Sequence, residues 1–315
     1  MMKLSIHDDT RPKVIVIAGP TASGKSTIGL ELAQEVDGEI VSADSVQVYR
    51  YLDIGAAKPT REQRARVVHH MLDIRDPDDY YSAGDYVREA RAAVDNIVKR
   101  GRIPLVVGGT GLYIRMLLGG VVDKAPRDPE LRNEIKRLEE RRGIGALHTR
   151  LQEVDPVYAQ SVPAGNTARI CRALEVFELT GRPMSQIQAE HAFRDRPYRV
   201  LFLCLSWDRE ALYRRIDRRV DEMIAAGLVD EVKGLVNMGY DLDLKSLQAI
   251  GYRHVGWSLR GNMTLGDAVA QMKRDTRHYA KRQFTWFRSE PGVVWCDPNH
   301  KNRIRLMVVD FLDSQ

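Results

Sequence analysis

The part of the sequence that most constrains the fold is an apolar run at 14–17 that leads into a glycine-rich loop. The loop consists of Gly19, Pro20, Thr21, Ala22, Ser23, Gly24, Lys25 and Ser26. It fits the G-x-x-x-x-G-K-S/T pattern of a phosphate-binding loop, and apolar residues at helical spacing follow at 28–36. A strand, this loop and a helix in that order predict an α/β protein whose first strand ends at a polyphosphate site.

The residue types in the loop explain why it suits a polyphosphate. Glycine at 19 and 24 lets the backbone curl so that several N–H groups point at one anion, and the helix N-terminus adds partial positive charge. Lys25 supplies a full charge, and Ser26 or Thr27 supplies a hydroxyl for Mg²⁺, the cofactor that we expect. The loop alone does not indicate which polyphosphate is bound or what happens to it.

Two more apolar segments, at 39–43 and 103–107, have the character of buried strands. Asp44 follows the first, and a Gly-Gly-Thr-Gly turn that contains Thr110 follows the second. Because ligands collect at the carboxyl ends of parallel strands, we expect Asp44 and Thr110 to share a crevice with the phosphate loop. Two structural alternatives stay open: Asp44 could cap the segment that follows it, and the glycine turn could simply be a tight connection between a strand and a helix.

The distribution of strand patterns predicts the domain organisation. The segment 119–197 shows helical patterns and no strand pattern, which predicts an all-helical insertion domain. The segments 1–118 and 198–315 carry the strands, so we predict that both contribute to one P-loop NTPase-like, mostly parallel α/β sheet flanked by helices. In the second of them, Arg215 and Arg219 lie four residues apart on a helix, where they could clamp phosphate oxygens or form a solvated surface.

Composition is that of a soluble globular protein, with 43% apolar and 29% charged residues. No apolar run approaches the roughly 20 residues of a membrane helix, and the first residues lack the apolar core of a signal peptide. We therefore expect a cytoplasmic protein without a membrane partner. Separately, we expect a monomer. Cys171, Cys204 and Cys296 show no C-x-x-C pattern, which argues against a zinc site or a disulfide framework. His69 and His70 point to opposite sides of a strand, so a structural role is favoured over metal binding.

The net charge of +5 is mild, but the positive charge is concentrated in two segments, 209–219 and 273–288. The second interleaves aromatic side chains with Lys and Arg, a combination that suits backbone phosphates and base stacking. A helix with a buried aromatic side and a solvated basic side would look the same.

Taken together, the motifs resemble those of one family, the tRNA dimethylallyltransferases. The resemblance extends from residue 13 to about 290 and rests on the phosphate loop together with A-D-S-V-Q-V-Y at 43–49, D-I-G-A-A-K-P-T at 53–60, H-H-M-L-D-I-R-D-P at 69–77, V-G-G-T-G-L-Y at 107–113, R-A-L-E-V-F-E-L-T-G at 172–181, I-G-Y-R at 250–253 and Y-A-K-R-Q-F-T-W-F-R at 279–288. A phosphate loop is shared by many unrelated proteins, whereas this combination in this order is specific.

The resemblance implies roles for individual residues. It implies that the phosphate loop, with Lys25 and Ser26, holds the diphosphate of dimethylallyl diphosphate, with Ser26 as the metal-binding residue. It also implies that Asp44 is the base that accepts a proton from the N6 amine of the adenosine 3′ of the anticodon, in tRNAs that read codons starting with U. Thr110 is implied to act at the diphosphate and substrate, and Arg219 to hold the diphosphate.

The resemblance also implies which residues contact the anticodon stem-loop of tRNA. They are Asp44, Ser45, Val46, Gln47, Ala168, Arg169, Ile170, Cys171, Arg172, Gln248, Gly251, Tyr252, Arg253, Lys281, Arg282, Gln283, Trp286 and Arg288. The insertion at 119–197 is implied to be the family's helical domain, which grips the stem-loop. One departure is Ala168, which stands where many relatives carry a polar residue.

Three other functions use some of the same features. A small-molecule kinase would use the loop for ATP and often carries arginine-rich lid helices. An adenylate isopentenyltransferase would prenylate a free nucleotide, and a non-catalytic module would only bind RNA. The basic aromatic segment and the helical insertion favour tRNA over a free nucleotide, and Asp44 beside a diphosphate-binding loop favours an enzyme over a binding module.

Overall fold

The structure is a computed structural model that describes residues 9–121 and 127–314. Its strands are β1 (Lys13–Ala18), β2 (Gly38–Ala43), β3 (His69–His70), β4 (Ile103–Gly108), β5 (Arg199–Leu205) and β6 (Val293–Cys296). Its α-helices are α1 (Lys25–Glu35), α2 (Arg61–Arg66), α3 (Ala83–Lys99), α4 (Gly111–Gly119), α5 (Pro129–Arg142), α6 (Ala146–Val154), α7 (Pro156–Ser161), α8 (Thr167–Thr180), α9 (Met184–His191), α10 (Arg209–Ala225), α11 (Leu228–Asn237), α12 (Tyr252–Leu259), α13 (Leu265–Arg288) and α14 (Lys301–Asp313). A short 3₁₀ helix spans Lys245–Gln248.

All strands belong to one parallel sheet with the order β3-β2-β4-β1-β5-β6. The central strand β1 is a run of β-branched residues, and Val14, Ile15, Val16 and Ile17 are fully buried, as expected for a strand that is covered on both faces. Helices flank the sheet, so the predicted α/β fold class is confirmed.

The register of the sheet determines where the site forms. Ala18 at the end of β1 and Ala43 at the end of β2 both pair with Gly108 at the end of β4. The residues that follow these three strands therefore start from neighbouring points on the same edge. This edge is the carboxyl end of a parallel sheet, where ligands bind in such folds.

The chain divides into two units, one formed by the residues up to 118 and from 197 onward, the other by 119–196. The first unit contains the sheet, and one of its core clusters joins the sheet residues Ile15, Ile17 and Leu105 to Leu32 of α1 and Ile304 of α14. None of the described helices is both long enough and apolar enough to cross a lipid bilayer.

The second unit contains helices and no strand within its described residues. Its core includes Leu147, Leu151, Ile170 and Leu174. The buried carboxylate of Glu175 accepts hydrogen bonds from the side chains of Arg132 and Arg172 and, at 2.9 Å, from the backbone N–H of Asp128. This network fixes the start of α5 against α8, because a buried carboxylate is costly unless it is paired.

Several helices have no clear signal in the sequence. Helix α2 has no buried residue and is stabilised by a capping box between Thr60 and Gln63, so hydrophobic periodicity could not indicate it. Helix α12 begins directly after Gly251 in a segment that we interpreted only as a motif.

The two histidines of β3 have structural contacts: His69 Nδ1 lies 2.8 Å from the carbonyl of Val67, and His70 Nε2 lies 2.6 Å from the carboxylate of Glu39.

Candidate active site

A cavity of about 410 Å³ lies at the carboxyl edge of the sheet. The residues from the sequence-based predictions that line it are Thr21, Lys25, Ser26, Asp44, Ser45, Val46, Gln47, Arg219, Gln248, Arg282 and Gln283. The structure thus brings together the phosphate loop, the loop after β2, and the helices α10 and α13. The cavity also has an apolar side that includes Ile216, Val220 and Met272.

The phosphate loop has the backbone conformation that its glycines make possible. Gly19 has a φ of 149° and Gly24 a φ of 92°, both in the region that favours glycine. A Cβ at position 19 would lie 2.9 Å from the carbonyl oxygen of Leu205, so only glycine fits against β5 there. Gly24 is the N-cap of α1, and the first N–H groups of a helix have no partner inside it. These amides are available to an anion at the loop.

Two cations face the cavity without an acidic partner. Neither Lys25 nor Arg219 forms an ion pair with any described residue. Burial, together with the nearby charge of Arg219, lowers the pKa of Lys25 to about 8. Burial also lowers the pKa of Arg219. The charge of Asp44 acts on both of them, but it forms no ion pair with either. Two positive charges that have lost solvation and form no ion pair suit a polyanion such as a diphosphate.

Arg215 does not share this position. Its Nε donates to the backbone carbonyl of Ala22 at 2.8 Å, and its guanidinium lies over the ring of Trp207. Of the two arginines that the helical spacing singled out, Arg219 therefore lines the cavity, whereas Arg215 supports the outer side of the phosphate loop.

Asp44 uses one carboxylate oxygen for structure and leaves the other free. Oδ1 accepts a hydrogen bond from the backbone N–H of Val46 at 2.9 Å and a longer one from that of Gln47 at 3.4 Å. Oδ2 has no hydrogen-bond donor among the described residues. The structural and the functional interpretations of Asp44 are therefore compatible, because the first oxygen caps the loop and the second stays available on a residue that lines the cavity.

Thr110 connects the third strand end to this loop. Its hydroxyl accepts from the backbone N–H of Ser45 at 3.1 Å, and its own N–H donates to the carbonyl of Ala43 at 3.0 Å. Tyr279 lines the same cavity, and burial together with the charge of Asp44 raises the pKa of its phenol well above its usual range. Thr110 thus holds the Asp44 loop, and it is not one of the residues that line the cavity.

The glycines around Thr110 make room for helix α13. A Cβ on Gly109 would lie 2.3 Å from Nε2 of Gln283, and one on Gly111 would lie 2.2 Å from the ring of Trp286. Nε2 of Gln283 donates to the carbonyl of Gly109 at 2.9 Å, and Oε1 of the same side chain accepts from the N–H of Thr21 at 2.8 Å. One amide therefore joins the glycine turn to the phosphate loop.

A clamp that the sequence did not reveal holds the far wall of the cavity. The carboxylate of Glu231 on α11 accepts hydrogen bonds from three consecutive backbone N–H groups, those of Asp53 at 3.1 Å, Ile54 at 2.8 Å and Gly55 at 3.2 Å. Tyr252 donates its hydroxyl to Glu231 at 2.7 Å and accepts from the N–H of Ala56 at 3.2 Å. We call Glu231 and Tyr252 the amide clamp. Nothing in the pattern of α11 distinguishes Glu231 from a solvated acid.

The clamped loop in turn holds Gln47. Its Nε2 donates to the carbonyls of Ala56 at 3.1 Å and Ala57 at 3.3 Å, and its Oε1 accepts from the Ser42 hydroxyl at 2.8 Å. Because Gln47 lies three residues after Asp44 and donates its N–H to that carboxylate, a chain of hydrogen bonds leads from the amide clamp to Asp44.

The residues that the resemblance assigned to tRNA differ in their exposure. The side chains of Ile170, Cys171, Tyr252 and Gln283 are buried, and Gly251 is buried as well. Those of Ala168, Arg169, Gln248, Lys281, Arg282 and Arg288 are exposed. Arg172 pairs with Glu175, Arg253 pairs with Asp275, and Trp286 packs on Gly111 beneath the guanidinium of Arg115. The buried side chains serve the protein's own packing, so the exposed set remains for contact with a large partner.

The sequence and the fold are similar to those of known proteins. A family model described as IPP transferase matches residues 47–290. A protein of Trichlorobacter lovleyi named tRNA dimethylallyltransferase 1 is 52% identical over 285 residues, which make up 90% of this chain and 93% of that protein.

Two solved structures resemble the fold. The full-length tRNA isopentenylpyrophosphate transferase from Bacillus halodurans matches with a TM-score of 0.72 and 38% identity, over 96% of this chain and 97% of the other. A eukaryotic dimethylallyltransferase, described as acting on tRNA, matches with a TM-score of 0.83 and 30% identity, over 96% of this chain and 79% of the other.

Proposed function

The chain belongs to the IPP transferase family, and we propose that it transfers a dimethylallyl group from dimethylallyl diphosphate to the N6 amine of the adenosine 3′ of the anticodon, in tRNAs that read codons starting with U. It is a transferase that modifies tRNA, as are relatives such as those of Syntrophotalea carbinolica and Trichlorobacter lovleyi that carry the name tRNA dimethylallyltransferase. One observation carries the proposal: two cations without acidic partners lie in the same cavity as a carboxylate with a free oxygen.

The phosphate side of the cavity binds and stabilises the leaving group. As the allylic carbon–oxygen bond breaks, negative charge accumulates on the departing diphosphate. Lys25 and Arg219 line the same cavity, and with the first N–H groups of α1 they would stabilise this charge without further reorganisation. The apolar side of the cavity, which includes Ile216 and Met272, excludes water from the allylic carbon.

The residues present also fit Mg²⁺. No group of three or more His, Cys, Asp or Glu that could hold a metal occurs among residues 9–121 and 127–314. Mg²⁺ needs no such group, because it commonly keeps several waters and binds through one or two protein oxygens and the phosphates of a substrate. The exposed hydroxyl of Ser26, at the start of α1 and in the same cavity, would hold it. When bound, it neutralises charge on the diphosphate.

The other side of the cavity orients and deprotonates the acceptor. The lone pair of an adenine amine is delocalised into the ring, so the amine is a poor nucleophile until a base removes its proton. Oδ2 of Asp44 accepts that proton while the bond from nitrogen to the allylic carbon forms and the bond to the diphosphate breaks. To reach the cavity, the target base must leave the anticodon loop stack.

The exposed residues of the predicted contact set supply the RNA surface. Lys281, Arg282 and Arg288 are exposed on α13, and Gln248 is exposed and lines the cavity. In the helical unit, Arg169 is exposed at the start of α8, and we propose that this unit grips the anticodon stem. We place the reaction in the cytoplasm, with a monomer as the working form.

One assay tests the function. The protein is incubated with Mg²⁺, labelled dimethylallyl diphosphate, and one of three acceptors: an unmodified anticodon stem-loop with adenosine 3′ of the anticodon, AMP, or ATP. We expect label in the stem-loop only, and none when that adenosine is replaced by guanosine. Label in AMP but not in RNA would instead identify an adenylate isopentenyltransferase.

A further inference from the structure

A second groove lies on the outer side of the helix pair α10 and α13, and it has a volume of about 480 Å³. Four aromatic side chains line it, those of Trp207, Tyr213, Phe284 and Trp295. Three cations, Arg209, Lys281 and Arg288, line it as well, and none of its lining residues is Asp or Glu. The groove is large enough for a small ligand, since such pockets typically measure about 300–1,000 Å³.

The groove is separate from the active-site cavity. Helix α13 turns one face to each of them: Lys281, Phe284, Thr285 and Arg288 line the groove, at the spacing of residues that share one helix face. Tyr279, Arg282 and Gln283 line the cavity instead, and no residue lines both. Of the residues that line the groove, only Lys281 and Arg288 belong to the proposed RNA contacts, and the aromatic residues have no role assigned so far.

The aromatic rings provide a stacking surface with one side available. Trp295 stacks on Phe284, with ring centroids 5.9 Å apart and planes inclined by 19°, and it is 38% exposed. The orientation of the Trp207 ring is fixed by two contacts: its Nε1 donates to the backbone carbonyl of Ser23 at 2.9 Å, and the guanidinium of Arg215 lies over the ring. A flat group that enters the groove would extend the stack of Phe284 and Trp295.

The cations of the groove are not neutralised. None of the three forms an ion pair with any described residue. Arg209 donates to the hydroxyl of Tyr213 at 3.3 Å, Arg288 lies 5.9 Å from the centroid of the Phe284 ring, and Lys281 is exposed. A ligand that matches both features has a planar aromatic part and a negative charge beside it. Aromatic platforms combined with positive charge are how proteins bind unpaired nucleotides.

We infer that this groove binds one unpaired nucleotide of the RNA substrate, whose base stacks on Trp295 and whose phosphate contacts Arg209, Lys281 and Arg288. The inference rests on the proposed function, in that RNA is the substrate. Continuity favours RNA over an acidic peptide, because Lys281 and Arg288 belong to the same helix segment that supplies the proposed RNA contacts. A peptide would also leave the stacking surface of Trp295 without a planar partner.

The first test compares two neighbours on one strand. Trp295→Ala removes the stacking ring, and Val294→Ala is the matched control, because Val294 is 40% exposed on the same strand but does not line the groove. We expect Trp295→Ala to weaken binding of an unmodified, fluorescently labelled anticodon stem-loop about tenfold, the usual effect of losing one stacked base. Trp295→Phe should restore most of the affinity, and Val294→Ala should stay within twofold of the wild type.

The second test uses the RNA and identifies the nucleotide. Abasic sites are placed one at a time along the loop, and each RNA is measured against the wild type and Trp295→Ala. At the nucleotide that occupies the groove, the loss seen with the wild type should disappear with Trp295→Ala, whereas at all other positions the two losses should add. Additive losses at every position, or unchanged affinity of Trp295→Ala, would overturn the inference.

The outcomes also separate this inference from the function on which it rests. If the wild type does not bind the stem-loop, the proposed function itself is wrong. If it binds and prenylates the RNA but Trp295→Ala does so equally well, only the groove assignment is wrong. Loss of affinity for a poly-glutamate peptide in Trp295→Ala, with RNA binding intact, would assign the groove to an acidic partner and overturn the assignment to RNA.

Discussion

The two walls of the active-site cavity are built in different ways. The phosphate wall, residues 19–26, is a run of consecutive residues whose backbone and helix N-terminus offer the local N–H groups that an anion would need. The base wall, residues 44–57, carries Asp44 but takes its shape from Ser42 and from the amide clamp, Glu231 and Tyr252. A short local motif is enough to bind a charge. Holding a carboxylate so that one of its oxygens lies within hydrogen-bond reach of an acceptor amine requires support from distant helices.

The two walls of the cavity should respond differently to substitution. Changes in the phosphate wall should alter the affinity for the diphosphate donor, and changes in the base wall should alter turnover.

Asp44→Asn should lower kcat by about 10²–10⁴-fold, the range for loss of a general base. The amide keeps an oxygen that can accept from the N–H of Val46, so the loop should keep its shape and the RNA dissociation constant should not change. Single-turnover prenylation and RNA binding are the measurements, with Asp78→Asn, an exposed acid, as control. Turnover within twofold of the wild type would exclude Asp44 as the base.

Lys25 should make donor binding depend on pH. Its pKa of about 8 in the free protein rises when a diphosphate binds, because the anion favours the ammonium form. Full affinity should therefore be present below pH 8 and fall as pH rises above it, by up to about tenfold per pH unit. The measurement is the dissociation constant of an unreactive donor analogue between pH 7 and 9.5.

The control for this pH dependence is Lys25→Arg, which stays charged throughout the range. The dissociation constant of the donor analogue for Lys25→Arg should lack the part of the pH dependence that Lys25 contributes. This holds even if the affinity of the variant at neutral pH differs from that of the wild type. An equal slope in both proteins would assign the pH dependence to the ligand alone.

Glu231→Gln should affect the base wall only. Glutamine has one acceptor oxygen in place of two, so at least one of the three amides loses its partner, and kcat should fall about fivefold through misplacement of Asp44. The free energy of unfolding should drop by about 1–3 kcal/mol. Asp230→Asn, the exposed neighbour, is the control. A fall in donor affinity of the same size would contradict the separation of the two walls.

Lys281→Ala should give the smallest effect, because Lys281 is exposed outside both walls. We expect about threefold weaker RNA binding and a salt dependence whose slope, log Kd against log salt, is reduced by about one. Lys233→Ala, on α11, is the control. An unaltered slope would mean that Lys281 makes no phosphate contact.

Much of the fold could be predicted because its signals are local. Strands β1, β4 and β5 are apolar runs, and the capping box of Ser82 and Asp85 and the Gly181 C-cap mark helix ends by residue type alone. The phosphate loop was recognisable for the same reason. Helix α2 was not, because its sequence has no apolar face.

The base wall could be predicted only in part. Asp44 was identified by its position after a strand. Which of its carboxylate oxygens accepts backbone hydrogen bonds and which stays free depends on the geometry of the loop, and no sequence pattern encodes that geometry. Glu231 looks like any acid on an amphipathic helix, and its role exists only because the loop at 53–55 turns three N–H groups towards it. Such contacts between distant segments are a property of the folded chain.

The amide of Gln283 also bears on how the enzyme is made. It joins the N–H of Thr21 to the carbonyl of Gly109, and it lies 262 residues after the first and 174 after the second. A chain that leaves the ribosome N-terminus first presents its phosphate loop long before this side chain exists. We therefore expect the phosphate loop to reach its final conformation only after helix α13 has been synthesised and has docked, so a nascent chain that stops short of Gln283 would lack this support of the loop.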